Sequence, residues 1–117
     1  MAEPRRLLLV EDEPVIAFAL EDIVLDMGFE VVGPVYRLAE GLVAAAGEEF
    51  EGAILDVNLN EQTSYPIAAV LAERGIPFLF ATGYAEGGID WPGDAPVIAK
   101  PYSREQLAAA LRLLFPA

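Results

Sequence analysis

Residues 52–60 read GAILDVNLN. Ala53, Ile54 and Leu55 carry no polar side chain, and Asp56 follows at once. So brief an apolar run, broken by a carboxylate and a polar loop, reads as a strand buried on both faces. The chain repeats this theme on either side. Residues 7–10 make a first apolar strand, and Pro14 suits the first turn of a helix, where a missing N–H costs nothing. Ile16, Leu20, Ile23, Val24 and Met27 then fall on one helical face, with Gly28 as a stop. A second strand is predicted over residues 30–35. A second helix carries Leu38, Leu42, Val43 and Ala46 and ends near Gly47. Ser64 is placed to cap a third helix bearing Ile67, Val70 and Leu71, with Gly75 after it. PFLFA (77–81) and PVIA (96–99) supply the fourth and fifth strands. Ser103 and Gln106 have capping-box spacing ahead of Leu107, Leu111, Leu114 and Phe115.

The result is a β-α unit repeated five times, an α/β architecture with a parallel sheet covered on both sides. One unit is weak. TGYAEGGIDWPGD (82–94) holds four glycines and a proline, so a fourth helix there is expected to be short or irregular.

Composition narrows the chemistry. The chain has 117 residues, which suits one domain, and 55% of them are hydrophobic, enough for a sizeable core. A net charge of −12 argues against nucleic acid and anionic membrane surfaces. With no histidine and no cysteine, triad chemistry, thiolate sites and imidazole metal ligands are excluded, so any metal must be held by oxygen. The apolar run near the N-terminus is too short for a signal core, and no window approaches the ~20 residues of a membrane span, so a cytoplasmic location is expected.

In sheets of this kind the ligand site lies beyond the carboxyl ends of the strands. Glu11, Asp12 and Glu13 follow the first strand, Asp56 the third, Thr82 the fourth, and Lys100, the only lysine, the fifth. Glu13 alone is explained by the helix dipole. The set together is not explained so simply. Two carboxylates ~4 Å apart repel by about 4 kcal/mol at an effective dielectric near 20. A divalent cation relieves that repulsion. Mg²⁺, an ammonium and a hydroxyl around one carboxylate suit phosphoryl oxygens, with Asp56 as the acceptor nucleophile.

LLLVEDEP (7–14), AILDVNL (53–59), FATG (80–83) and AKPYS (99–103) resemble, in order and spacing, the motifs of the receiver domain of two-component response regulators. The resemblance spans the whole chain. It implies a flavodoxin-like (βα)5 fold with strand order 2-1-3-4-5, and a single receiver domain over 1–117 without an output domain. It implies that Asp56 accepts a phosphoryl group from a histidine kinase or histidine phosphotransferase. Asp12 would bind Mg²⁺ directly, Glu11 mostly through water, and Asn58 through its backbone carbonyl, with Mn²⁺ or Ca²⁺ as substitutes. Thr82 would move to the phosphoryl group and Lys100 would pair with one of its oxygens. Lys100–Pro101 would be a cis peptide. The protein would signal by a conformational switch or act as a phosphate sink, as a monomer.

Three departures stand out. Asn60 and Ser64 occupy positions where many receivers have proline and glycine, so the loop after Asp56 should follow a different path. Val97 stands where the usual switch aromatic lies, and the fourth helix is glycine-interrupted. FATGY with a non-aromatic fifth strand resembles a stand-alone Phe-Ala-Thr-Gly (FATGUY-type) subfamily, whose members pair with HWE-type sensor kinases. In that frame Tyr84 would take over part of the aromatic's role. Competing readings are a small Mg²⁺-dependent aspartyl phosphatase, a flavodoxin-like cofactor binder and a receiver that binds its partner without phosphorylation. Asn58 stands where the phosphatase needs an acid, and the acidic loop after the first strand repels a phosphate.

Overall fold

The computed structural model describes residues 5–60, 62–83 and 91–115. In chain order the described elements are β1 (Arg6–Val10), α1 (Pro14–Asp26), β2 (Glu30–Val35), α2 (Leu38–Gly47) and β3 (Gly52–Asp56). They continue as β4 (Asn58–Leu59), β5 (Gln62–Thr63), α3 (Tyr65–Arg74), β6 (Phe78–Thr82), β7 (Val97–Ala99) and α4 (Arg104–Leu114). Five strands pair in parallel in the order β2-β1-β3-β6-β7. This is the expected flavodoxin-like 2-1-3-4-5 sheet, with β6 and β7 as its fourth and fifth strands. α4 is the helix expected last in the repeat.

Alternation along the strands builds two cores. Leu7, Leu9, Ile54 and Leu79 point to one face and meet Leu20 and Val24 of α1 and Leu107 and Leu111 of α4. Leu8, Val10, Leu55, Phe78 and Phe80 point to the other and meet Ala44, Ala45, Ile67 and Leu71 of α2 and α3. Every residue of β3 and β6 is buried, which is why both read as continuous apolar runs.

Two local expectations need correction. α2 turns Gly41, Ala44 and Ala45 inward, while Val43 is 75% exposed and Ala46 also faces water. The cause is close helix packing: a Cβ on Gly41 would fall 2.4 Å from Ile67 Cδ1 of α3. Ser64 does stand at the N-cap of α3, but its side chain makes no capping bond, because its backbone (φ −85°, ψ 5°) lacks the extended shape a cap requires. Residues 91–96 form no helix, in keeping with a short or irregular fourth unit. Trp91 lays its ring 5.6 Å from Phe78 and 6.0 Å from Phe80. Residues 84–90, most of the segment expected to carry the fourth helix, lie outside the described residues.

Gly75 ends α3 in the left-handed conformation (φ 72°), and Ser103 and Gln106 form the capping box at the start of α4. Lys100–Pro101 is cis, as is Gly33–Pro34, which the sequence did not announce. Among the described residues no helix is long and apolar enough to cross a membrane.

Candidate functional site

The strands bring their chemical residues to one level by backbone bonds just past the sheet. Glu11 N–H donates to Val35 O at 3.0 Å, fixing the exit of β1 against β2. Asp56 lies opposite Ala81 in the β3–β6 ladder, and Val57 N–H continues the ladder to Ala81 O at 3.0 Å. Lys100 N–H donates to Thr82 O at 2.8 Å, one residue beyond the Thr82–Ala99 pair of the ladder. These rungs gather Glu11, Asp12, Asp56, Thr82 and Lys100 at the carboxyl edge.

The charges there are scarcely exposed. Glu11 is 2% exposed and Asp56 5%. Lys100 Nζ sits 2.7 Å from Glu11 Oε1 and 3.1 Å from Asp56 Oδ2, bridging the two. Glu11 Oε2 accepts the N–H of Glu13 at 3.2 Å, and Asp12 Oδ2 accepts the N–H of Asn60 at 3.3 Å. One carboxylate oxygen from each of Glu11, Asp12 and Asp56 lies within 4.8 Å of the others. Burial, then the hydrogen bond and charge of Glu11, push the Asp56 carboxyl up to about 8, against the opposing pull of Lys100. Burial alone would lower the Lys100 ammonium. The hydrogen bond to Glu11 and the charge of Asp56 outweigh it and hold the group above the ordinary lysine range. Burial and the charge of Glu11 also push the neighbouring Tyr102 phenol up to about 12.

Three carboxyl groups against one ammonium crowd negative charge into a buried site. The donor set is all oxygen, which fits a hard divalent ion such as Mg²⁺ and not a soft one. The Asn58 backbone carbonyl is left out of the hairpin's own bonding. Ser64 N–H donates to Val57 O at 2.9 Å, and Asn58 pairs with Thr63 at the next rung of the β4–β5 hairpin. Hydrogen-bonded and non-bonded rungs alternate in an antiparallel pair, so the Asn58 carbonyl points away from its hairpin partner. The loop after Asp56 thus forms a short hairpin, a form the sequence did not reveal.

Thr82 is buried at the end of β6, and Val97, at the position of the missing aromatic, is 47% exposed on β7. Tyr84, the expected substitute, lies outside the described residues. Sequence reading missed the amides of Glu13 and Asn60 as carboxylate donors. Asn60 left one trace: it takes φ 50°, and asparagine tolerates the left-handed region better than most residues. A groove of about 500 Å³ runs beside the site along α1, between Val15, Ile16 and Ala19 on one side and Lys100, Pro101 and Tyr102 on the other.

No family model matches the chain. The chain is 32% identical over 110 residues to the phyllosphere-induced regulator PhyR of Methylorubrum extorquens, covering 90% of this chain and 41% of that protein. It spans about half the length of the curated relatives it matches. Its fold superposes on the solution structure of SdrG from Sphingomonas melonis Fr1 with a TM-score of 0.85 and 40% identity, over 97% of this chain and 98% of that one. At 22% identity and a TM-score of 0.86, it shares the fold of the receiver domain of sensor histidine kinase PA1611 from Pseudomonas aeruginosa PAO1, over 97% of this chain and 99% of that one. That domain was solved with a magnesium ion coordinated in its active-site cleft. The chain belongs to the receiver domains of two-component response regulators.

Proposed function

We propose that Asp56 is a phosphoacceptor. One carboxylate oxygen attacks the phosphorus of a phosphohistidine; the O–P bond forms, the N–P bond breaks, and the departing imidazole takes up a proton. The observation that carries this reading is the single ammonium of Lys100 bridging Glu11 and Asp56 in a buried site that still holds an excess of carboxylates. Asp12, Glu11, Asp56 and the Asn58 carbonyl would hold Mg²⁺, which when bound neutralises charge on the transferring group. Lys100 turns from Glu11 to a phosphoryl oxygen, and the Thr82 hydroxyl approaches another.

The donor is a sensor histidine kinase, of the HWE type, or a histidine phosphotransferase. Such a partner must bring its histidine over the site. α1 supports this reading with exposed apolar side chains: Val15, which lines the groove, at 80% and Phe18 on the same helix at 57%. The Phe-Ala-Thr-Gly subfamily is favoured by FATG at 80–83 together with Val97. Within it, Tyr84 takes part in the switch; unchanged phosphorylation-induced NMR shifts of residues 83–94 in Tyr84→Ala would remove it from that role.

The test is Mg²⁺-dependent labelling by acetyl phosphate, read by intact mass. Wild type should gain one phosphoryl group and Asp56→Ala none. Undiminished labelling of the variant would move the acceptor elsewhere, and unlabelled wild type would overturn the reading.

A further inference from the structure

We infer that the backbone N–H of Asn60 is a positioning donor for Asp12, reaching across from the loop after β3 to orient a carboxylate of the loop after β1. The inference rests on the phosphoacceptor reading and adds a residue to it. Each of the three carboxylates of the cluster meets a protein donor. Glu11 is held by Lys100 and by the Glu13 amide, and Asp56 by Lys100. Asp12 receives the Asn60 amide on Oδ2 at 3.3 Å, across 48 residues of chain. A carboxylate pinned through one oxygen offers the other in a defined direction. That is what a small ion with strict octahedral demands requires of a ligand on a half-exposed loop.

The donor is itself held in place. Leu59, the residue before it, is 1% exposed and packs into the core with Val57 and Ile67. Leu59 pairs with Gln62, and Ser64 N–H closes the base of the hairpin on Val57 O. Between these anchors Asn60 adopts φ 50°, and this left-handed turn accompanies an amide directed to Asp12. Proline, found here in many receivers, has neither an N–H nor access to positive φ. The departure from the receiver pattern at Asn60 therefore reads as a gain: the loop gives up proline and acquires a donor to the acidic pair.

Three variants separate the amide from the turn. An amide-to-ester replacement at residue 60, retaining the asparagine side chain, deletes the N–H and weakens the Leu59 carbonyl as an acceptor in the hairpin, for which the Leu59 methyl shifts control. Asn60→Gly keeps the N–H and favours positive φ, and Asn60→Pro removes both. The readouts are the Mg²⁺ dissociation constant from NMR titration and the exchange rate of the Asn60 amide without metal. The ester should bind Mg²⁺ about 5-fold more weakly, a fair share of a hydrogen bond to a charged acceptor at this long distance. Asn60→Gly should stay within about 2-fold of wild type, and Asn60→Pro should be at least as weak as the ester. Unchanged Leu59 methyl shifts in the ester certify the hairpin. Asn60 amide exchange should quicken in Asp12→Ala. An ester that binds Mg²⁺ like wild type, a Gly variant as weak as the ester, or amide exchange indifferent to Asp12 would each overturn the inference alone. Wild type that binds no Mg²⁺ would overturn the inference and the phosphoacceptor reading together.

Discussion

The two ends of the central strand β3 obey different rules. At its amino end Gly52 is buried under Phe115, whose ring lies 5.9 Å from Phe29, and the Arg5 guanidinium covers that ring at 4.7 Å from its centroid. Everything there is complementary. At its carboxyl end the same strand delivers Asp56 into a pocket shared with Glu11 and Asp12, where one lysine must serve two buried partners. One end is arranged for stability. The other holds like charges together, which costs stability that a bound cation would restore.

The largest break in this contrast should come from Lys100→Ala. Removing the ammonium leaves Glu11 and Asp56 buried without their shared cation, and we expect a loss of about 3 kcal/mol at pH 8 without divalent ions. At pH 5 a protonated Asp56 relieves the repulsion, so the loss should shrink. Chemical denaturation at both pH values checks this, and equal losses would show that Lys100 acts through packing alone.

Next comes Asp56 itself. Its folded value of about 8 stands above the ordinary 3.8, so between those limits the folded protein holds a proton that the unfolded chain has released. Stability from this group is fully present below about pH 4 and is lost as pH rises through about 8. Metal-free protein should therefore weaken across that window. Asp56→Asn should flatten the slope and, at pH 8, gain on the order of 1–2 kcal/mol, less than the shift alone suggests because the attraction of Lys100 is lost as well. A slope that survives the substitution would assign the titration to another group.

At the opposite end, Gly52→Ala would place a Cβ 2.6 Å from Phe115 Cζ. The ring must swing off Phe29, at a cost of about 1–2 kcal/mol. Mg²⁺ affinity should not change, because the packing disturbed lies at the far end of the strand from Asp56. A matching loss of affinity would mean that the two ends are mechanically one.

The same contrast explains what could be read beforehand. β3 and β6 were legible because a strand buried on both faces admits no polar residue until its end, so the apolar run and the polar terminus are one signal. The site was legible for the same reason: Glu11, Asp56, Thr82 and Lys100 each mark the point where such a run stops. α2 was misread at Val43 and Ala46 because glycine and alanine are weak hydrophobic signals. The inner face was chosen by how near Ile67 comes to Gly41, a tertiary fact. The β4–β5 hairpin was invisible because Asn58–Leu59 and Gln62–Thr63 are too short to show any period. With it went the Asn60 amide, since a backbone donor has no letter in the sequence.

The smallest expected effect tests how sharply function and stability divide along the rim. Ser103 lies three residues after Lys100 and closes a capping box, with Gln106 N–H on its Oγ at 3.0 Å and its own N–H on Gln106 Oε1 at 2.7 Å. Ser103→Ala removes the side-chain half of that box and should cost about 1 kcal/mol, read as a lowered thermal midpoint. Mg²⁺ affinity should hold, because Lys100 is fixed independently by its N–H on Thr82 O and by its two carboxylates. If affinity falls in step with stability, the cap is also setting the position of Lys100. The stabilising part of the carboxyl edge would then extend into the charged site, and the two ends of β3 would differ less than their packing implies.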